Sequence, residues 1–219
     1  MKVLIVSTFD NSGGAARAAY RLKEALVQNN VDCQMLVQSK VSDEYRVIGP
    51  ATKIKSTFSK ARPVLDSLPL RFYNNRSKAL FSSGYFPFSG IVDRINSLNP
   101  DVVHLHWIAG GFIRVEDIAK INAPIVWTMH DMWAFTGGCH YDEGCGLFVN
   151  SCGTCKVLGS TSKYDLSFVN FKRKLRTYNK IKGLHVNGCS RWITDAAESS
   201  TLFKNRSFST LANPIDSEL

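Results

Sequence analysis

The hydrophobic and polar positions along the chain follow two patterns, short apolar runs and longer amphipathic stretches. Lys2–Ser7, with the sequence KVLIVS, is a nearly unbroken apolar run rich in β-branched residues, which is typical of a strand covered on both faces. A glycine pair and an Ala-rich stretch with leucines at helical spacing follow, and a second apolar run comes at Val31–Gln38. This order predicts a βαβ unit with a right-handed crossover.

The same alternation continues along the rest of the chain. Apolar runs predict further strands at Asp101–Trp107, Pro124–His130, Gly183–Ser190 and Ser207–Asn213. Amphipathic stretches between them predict helices at Phe88–Leu98, Arg114–Ile121, Asp165–Ile181 and Arg191–Ser200. Strands that alternate with helices indicate a doubly wound α/β domain, whose sheet is mostly parallel and Rossmann-like.

Residues 50–87 break this rhythm. Four prolines bracket basic and aromatic side chains there, and we expect one or two short, loosely packed helices in a variable insert. The 219 residues are 44% apolar, which is enough for a well-filled core and excludes a disordered chain.

The net charge of +9 is concentrated in two segments. Residues 51–80 contain seven Lys or Arg against one acidic residue, and residues 171–182 contain six and no acidic residue. Such segments suit anionic partners: nucleic acid, nucleotide phosphates or an acidic membrane face. The second segment, FKRKLRTYNKIK, also reads as an amphipathic helix, with an apolar stripe formed by Phe171, Leu175, Tyr178 and Ile181. We expect its cations to be solvated, the alternative being docking on an anionic membrane or a lipid pyrophosphate.

The sequence contains no signal-peptide pattern in MKVLIVSTFD and no apolar stretch near the roughly 20 residues that span a bilayer. We therefore predict a cytoplasmic protein. A peripheral position at the inner face of the cytoplasmic membrane is the alternative that the basic segments raise.

The first turn of the predicted sheet contains Gly13 and Gly14, directly before the first helix. Glycines there allow the backbone to approach a ligand, and the helix N-terminus offers free N–H groups to an anion. Arg17, one turn later, is placed to contact a phosphate, although both features also fit a simple turn with a solvated arginine. The G-x-G-x-x-G spacing is absent, so we predict no NAD site.

Two predicted strands end in histidine. His106 is followed by Trp107, and His130 by Asp131-Met-Trp133. Ligands bind outside the carboxyl ends of parallel strands, and a mouth lined by imidazole and indole rings suits a sugar. His104 and His106 share a face and are alternatively core residues or metal ligands, while Asp131 is either a base or, as we favour, a turn-capping residue.

A cysteine-rich loop follows at residues 137–158, with Cys139, Cys145, Cys152 and Cys155 in a C-x5-C-x6-C-x2-C spacing. The C-x2-C pair is a usual half of a structural zinc site, and His140 is a possible substitute ligand. In a reducing compartment we favour the prediction that these cysteines bind a structural zinc ion, with disulfides and free thiols as the alternatives. Cys33 and Cys189 are predicted to be packed thiols.

Several segments, taken in order, resemble the retaining, nucleotide-sugar-dependent glycosyltransferases built from two Rossmann-like domains, the family numbered four. The matching segments are KVLIVST, GGAARAAYRL, PDVVHLHW, PIVWTMHD, CSRWITDAAESS and ANPIDSEL, the last similar to the PNGID stretch between the family's domains. The resemblance implies that residues 1–212 form the N-terminal, acceptor-binding domain. Residues 213–219 would then begin a linker to a donor-binding C-terminal domain that the chain is expected to lack.

The resemblance also implies an activity: transfer of a sugar from a nucleotide-sugar donor to a glycan or lipid-linked acceptor in surface polysaccharide synthesis, with retention by front-side attack. His130 would contact the donor sugar near its 6-hydroxyl, and Gly13 and Gly14 would close on the donor phosphates or the acceptor, assisted by Arg17. The chain alone is expected to be inactive. The alternatives are a zinc-stabilised, basic nucleic-acid-binding module and a non-catalytic sugar-binding domain.

Overall fold

The computed structural model describes residues 1–86 and 90–215. Its strands are β1 (Lys2–Phe9), β2 (Asp32–Ser39), β3 (Val47–Ile48), β4 (Val102–Leu105), β5 (Ile125–Met129), β6 (Leu184–Gly188) and β7 (Ser207–Thr210). Within the described residues they form one seven-stranded sheet in the order β3-β2-β1-β4-β5-β6-β7, with parallel pairing throughout. The predicted parallel, Rossmann-like α/β fold is confirmed.

The helices are α1 (Gly14–Gln28), α2 (Lys53–Asp66), α3 (Ile91–Ser97), α4 (Val115–Ile118), α5 (Leu166–Tyr178) and α6 (Arg191–Ser199). Short 3-10 turns lie at Leu68–Phe72, Trp133–Phe135, Leu147–Val149 and Thr201–Phe203. Within residues 1–86 and 90–215, the structure contains no helix with the length and hydrophobicity that a bilayer crossing requires.

Both faces of the sheet are covered. Val3 and Ile5 of β1 pack with Ala19 of α1 in one apolar cluster, whereas Leu4 and Val6 point into the larger cluster on the other face. Successive strand residues point to opposite faces, so an unbroken apolar run is the pattern that a strand buried on both sides requires.

Some element boundaries differ from the sequence predictions. The helix predicted at Arg114–Ile121 is the single turn α4, and the two-residue strand β3 was not predicted. In the insert, α2 runs for 14 residues, longer than the short helices expected. Pro87 at the end of the insert, Phe88 at the start of a predicted helix and residues 216–219 of the predicted linker lie outside the described residues.

The prediction that the cations of residues 171–182 are solvated is wrong for two of them, Arg173 and Lys174. Arg173 is 9% exposed, and its Nε and Nη2 donate to the two carboxylate oxygens of Glu116, at 2.7 and 2.8 Å. Lys174 is fully buried, and its ammonium group donates to the carbonyls of Trp133 and Thr136. Burial lowers the pKa of Lys174 to about 7. Arg173 thus binds α5 to α4, and Lys174 binds α5 to the chain that follows β5.

Candidate functional site

The carboxyl ends of β1, β4 and β5 meet at one edge of the sheet, where the strand order reverses around β1. In open α/β sheets this switch point is where ligands bind. A cavity of about 470 Å³ lies there, and it is bordered by five of the residues that the sequence singled out: Gly13, Gly14, Trp107, His130 and Asp131. The structure therefore brings these predicted residues together.

The glycine loop forms one wall of this cavity. Gly13 has φ +87°, a left-handed conformation that residues with a Cβ rarely adopt. A Cβ placed on Gly13 or Gly14 would meet no atom within 4 Å, and no side chain caps α1. The backbone N–H groups of the first helical turn are thus open to a ligand, as an anion site requires.

His130 lies directly after β5, and its Nε2 lies 2.9 Å from Nδ1 of His106. His106 is only 4% exposed and does not border the cavity, so its role is to contact His130. Burial lowers the pKa of His130 to about 4, and burial together with the neighbouring His104 and His130 lowers the pKa of His106 well below its usual value. The histidine pair is therefore neutral at pH 7.

Neutrality leaves two tautomers for this pair. The other nitrogen of His106, Nε2, is buried and has no hydrogen-bond partner among the described residues. A buried N–H without an acceptor costs more than an unused lone pair, so the proton of His106 belongs on Nδ1. His106 then donates to Nε2 of His130, and the proton of His130 lies on its Nδ1. In this assignment His130 is a neutral hydrogen-bond donor at Nδ1.

Asp131 organises the ring wall of the cavity. Its carboxylate accepts hydrogen bonds from the indole of Trp107 at 2.8 Å, Nδ1 of His140 at 2.6 Å and the backbone N–H of Trp133 at 2.8 Å. Burial alone would raise the pKa of Asp131, but these hydrogen bonds, His140 foremost, hold it below its ordinary value. The side chain is ionised, and both of its oxygens accept hydrogen bonds from the protein, which is consistent with the capping role favoured from the sequence.

Like His106, two further predicted binding residues lie away from the cavity. Trp133 is 3% exposed, and its indole N–H donates to the carbonyl of Ser82 inside the core. Arg17 is exposed on α1 and does not border the cavity. Neither residue is therefore placed to contact a ligand in this cavity.

Other residues of the wall were not predicted as binding residues. Phe9 stacks on Trp107 with ring centroids 6.1 Å apart, and His140, Tyr141 and Ser7 also border the cavity. The hydroxyl of Ser7 is buried without a hydrogen-bond partner among the described residues, so it is available to a ligand. The position of Ser7 at the end of a buried strand was the available signal, since that is where ligands bind.

The four cysteines of residues 137–158 do not form a metal centre in this arrangement. Cys139, Cys152 and Cys155 are buried, and Cys145 is partly exposed. Burial raises the pKa of the Cys152 thiol to about 12, and also raises that of Cys139 and Cys155. Across the part of the chain that the structure describes, no group of three or more His, Cys, Asp or Glu is placed to hold a metal, and all cysteines are free thiols. The residues as placed do not fit zinc, which stays a prediction from the sequence.

Comparison with known proteins identifies relatives of this chain. A segment of 70 residues is 26% identical to WcaC of Escherichia coli (strain K12), a glycosyl transferase assigned to colanic acid biosynthesis. The alignment covers 28% of this chain and 17% of the length of that relative. The model of Glycosyltransferase Family 4 matches residues 12–194, a range that includes the glycine loop, both strand-end histidines and all of the cysteine-rich loop. The chain belongs to Glycosyltransferase Family 4.

Proposed function

We propose that the cavity at the carboxyl edge of the sheet binds a nucleotide-sugar donor for transfer of its sugar to a glycan or lipid-linked acceptor. The observation that supports this proposal most directly is the position of His130, a neutral imidazole on a cavity that the uncapped N-terminus of α1 also borders. Family membership supports the transferase chemistry, and it favours this function over the nucleic-acid-binding alternative.

The two walls suit the two parts of a nucleotide sugar. Phosphate oxygens match the free N–H groups and the positive dipole end at Gly13 and Gly14. The apolar face of a sugar packs on aromatic rings, which Phe9, Trp107 and Tyr141 provide. His130 then donates its Nδ1–H to a hydroxyl oxygen of the donor sugar, a fixed dipole of the kind that stabilises a developing charge.

The transfer that we propose retains the configuration of the sugar. The bond between the anomeric carbon and the leaving phosphate oxygen breaks, and the acceptor hydroxyl oxygen bonds to the same carbon from the same face. The acceptor proton passes to the leaving phosphate. This scheme needs no protein base, which is consistent with the low pKa of His130 and the lowered pKa of Asp131.

The acceptor belongs, in this proposal, to surface polysaccharide synthesis. The assignment of WcaC to colanic acid biosynthesis supports that class of acceptor. The insert supports a peripheral contact with an anionic membrane, because it exposes apolar side chains next to cations. On α2, Ile54 and Val64 are 83% and 59% exposed, and Lys53 and Lys60 are exposed as well. Phe72, at the end of the 3-10 turn that follows α2, is 88% exposed.

A binding experiment tests the proposal. UDP-glucose, UDP-galactose and GDP-mannose are titrated into the 219-residue chain, and the backbone amide signals of Gly13 and Gly14 are followed by NMR. We expect one of these donors to shift both amides, and His130→Ala to weaken that binding about fivefold to tenfold, the value of one hydrogen bond. His185→Ala is the matched control, because His185 bonds to Ser207 and Ser209 away from the cavity. Unshifted glycine amides, or equal losses in the two variants, would refute the proposal.

A further inference from the structure

A second cavity, of about 730 Å³, lies beside the first. The carboxyl end of β2, one side of α2 and the start of α3 border it, and the chain after β4 borders both cavities, through Trp107 in the first and Phe112 in the second. The two cavities are therefore neighbours along the same edge of the sheet.

The second cavity contains a buried arginine. Arg62 is 3% exposed; its Nε donates to the carbonyl of Gly111 at 2.6 Å, and its guanidinium lies over the rings of Phe86 and Phe58, at 4.9 and 5.8 Å from their centroids. Its Nη2 has no hydrogen-bond partner among the described residues, and no carboxylate there forms an ion pair with it. A buried charge without an ion-pair partner is unfavourable, because no opposite charge replaces the water that it loses.

The carboxylate one helical turn away does not neutralise this charge by contact. Asp66 accepts hydrogen bonds from the hydroxyl of Ser83 and from the N–H groups of Gly84 and Tyr85, so its oxygens are committed to that segment. Burial lowers the pKa of Arg62, and the charge of Asp66 acts only partly against it. One nitrogen of the guanidinium, Nη2, is thus left without a partner among the described residues, in a side chain that borders the cavity.

A buried acceptor lies in the same cavity. The amide nitrogen of Gln38 donates to the carbonyls of Ser59 and Gly110, at 3.2 and 3.4 Å, while its Oε1 is buried without a partner among the described residues. Buried polar atoms are nearly always hydrogen-bonded, and two exceptions in one cavity, a donor and an acceptor, indicate a ligand that supplies the missing partners. That ligand must carry an anionic oxygen for Arg62 and a hydroxyl or amide hydrogen for Gln38.

The rest of the lining identifies the class of ligand. Phe58, Phe112 and Ile54 offer apolar surface for a sugar face, and Lys55 and Arg94 add positive charge at the wall, opposed by a single acidic residue, Asp93. An acidic sugar combines these properties: an anionic group, several hydroxyls and apolar ring faces.

We propose that this cavity binds an acidic saccharide unit of the acceptor, one that carries a carboxylate or a phosphate, with Arg62 and Gln38 as its specificity-determining residues. The inference rests on the proposed function, because it places the reacting end of the acceptor in the first cavity and the acidic unit in the second. A neutral sugar leaves the Arg62 guanidinium without an anionic partner in this cavity. The site therefore selects the acidic unit by the difference in binding free energy between the acidic and the neutral sugar.

The test compares three probes on the 219-residue chain: glucuronic acid, glucose 1-phosphate and glucose, at constant ionic strength. We expect at least one acidic probe to bind about tenfold tighter than glucose, as for one charge-assisted hydrogen bond, and to shift the Nε–H signal of Arg62 and the side-chain amide of Gln38 in NMR spectra. Glucuronic acid and glucose 1-phosphate distinguish a carboxylate ligand from a phosphate ligand. Equal affinities for all three probes would overturn the inference.

Two variants of α2 provide a matched pair that does not depend on the buried arginine. Lys55→Glu reverses a charge at the cavity wall, and Lys60→Glu reverses an exposed charge on the same helix outside it. We expect the first to weaken binding of the acidic probe about threefold and the second to leave it unchanged. If Arg62→Gln folds, it should abolish the preference of the chain for an acidic probe over glucose. Equal effects of Lys55→Glu and Lys60→Glu on binding of the acidic probe would contradict the site.

The outcomes for the two cavities are separable. UDP-glucose, UDP-galactose and GDP-mannose report on the first cavity through the amides of Gly13 and Gly14, whereas the acidic sugars report on the second through Arg62 and Gln38. A donor response without any preference for acidic sugars would refute the second site and leave the proposed function intact. A preference for acidic sugars without a donor response would refute donor binding in the first cavity and leave the second site intact.

Discussion

His130 and His106 show how much of this site depends on single atoms. Both rings are neutral because burial holds their pKa values below the usual one, and the nitrogen that carries the proton is decided by the unpartnered Nε2 of His106. His106 is therefore a positioning residue: it acts through His130, by fixing the tautomer that His130 presents.

Nitrogen-15 NMR of labelled histidine tests this assignment. In the unchanged chain we expect His130 to be protonated on Nδ1 and unprotonated on Nε2, because His106 donates to Nε2. His106→Leu should replace this single tautomer by a mixture, since no donor then faces Nε2. His185→Leu, away from the cavity, should leave the His130 signals as they are. A proton on Nε2 of His130 in the unchanged chain would show that the assignment is wrong.

At the scale of elements, the turn between β1 and α1 depends on one backbone conformation. Gly13 has a positive φ, and its neighbour Gly14 does not, although a Cβ on either would meet open space. The two glycines thus differ in conformational strain and not in crowding, which makes them a controlled pair.

Alanine at each position should separate these effects. Gly13→Ala should lower the free energy of unfolding by about 1–2 kcal/mol, the cost of a left-handed conformation for a residue with a Cβ. Gly14→Ala should leave it unchanged or raise it by less than about 1 kcal/mol, because the first helical position tolerates alanine. Urea unfolding followed by circular dichroism measures both, and equal changes in the two variants would show that the turn has another conformation.

At the scale of the whole molecule, three histidines join the ends of β4 and β5 across the centre of the sheet. His104 bonds to the hydroxyl of Thr128 at 2.8 Å and packs on His106, which contacts His130. Burial lowers the pKa of His104 and of His130 to about 4, and it lowers that of His106 well below its usual value. In the unfolded chain each would have a pKa near its usual value of about 6.5.

The stability of the protein should therefore fall on acidification in a defined window. Between about pH 6.5 and pH 4 the unfolded chain binds protons that the folded chain does not, so the free energy of unfolding decreases as the pH is lowered through this range. The slope is up to about 1.4 kcal/mol per pH unit for each histidine. Urea unfolding at pH 7, 6 and 5 measures it, and His104→Gln should remove about a third of the slope. A stability that stays constant from pH 7 to pH 5 would rule out the neutral cluster.

Much of the fold follows from local pattern. The run KVLIVS and its counterparts along the chain predict the central strands, because only strands buried on both faces need continuous apolar residues. The two residues of β3 are too few to form a pattern. Arg173 and Lys174 looked like solvated cations of an amphipathic helix, since a charge paired with Glu116 or with backbone carbonyls cannot be recognised from spacing alone.

The sequence by itself determined the parallel sheet and the placement of His106, His130 and the glycine loop at its carboxyl edge, because strand direction and strand ends are local properties of the chain. Only the tertiary structure decided which of these residues reach a ligand. It withdrew His106 and Trp133 into the core, brought Ser7 and His140 to the first cavity and placed Arg62 and Gln38 at the second. Such contacts join residues far apart in sequence, and burial and hydrogen bonding across that distance are fixed only when the elements pack together.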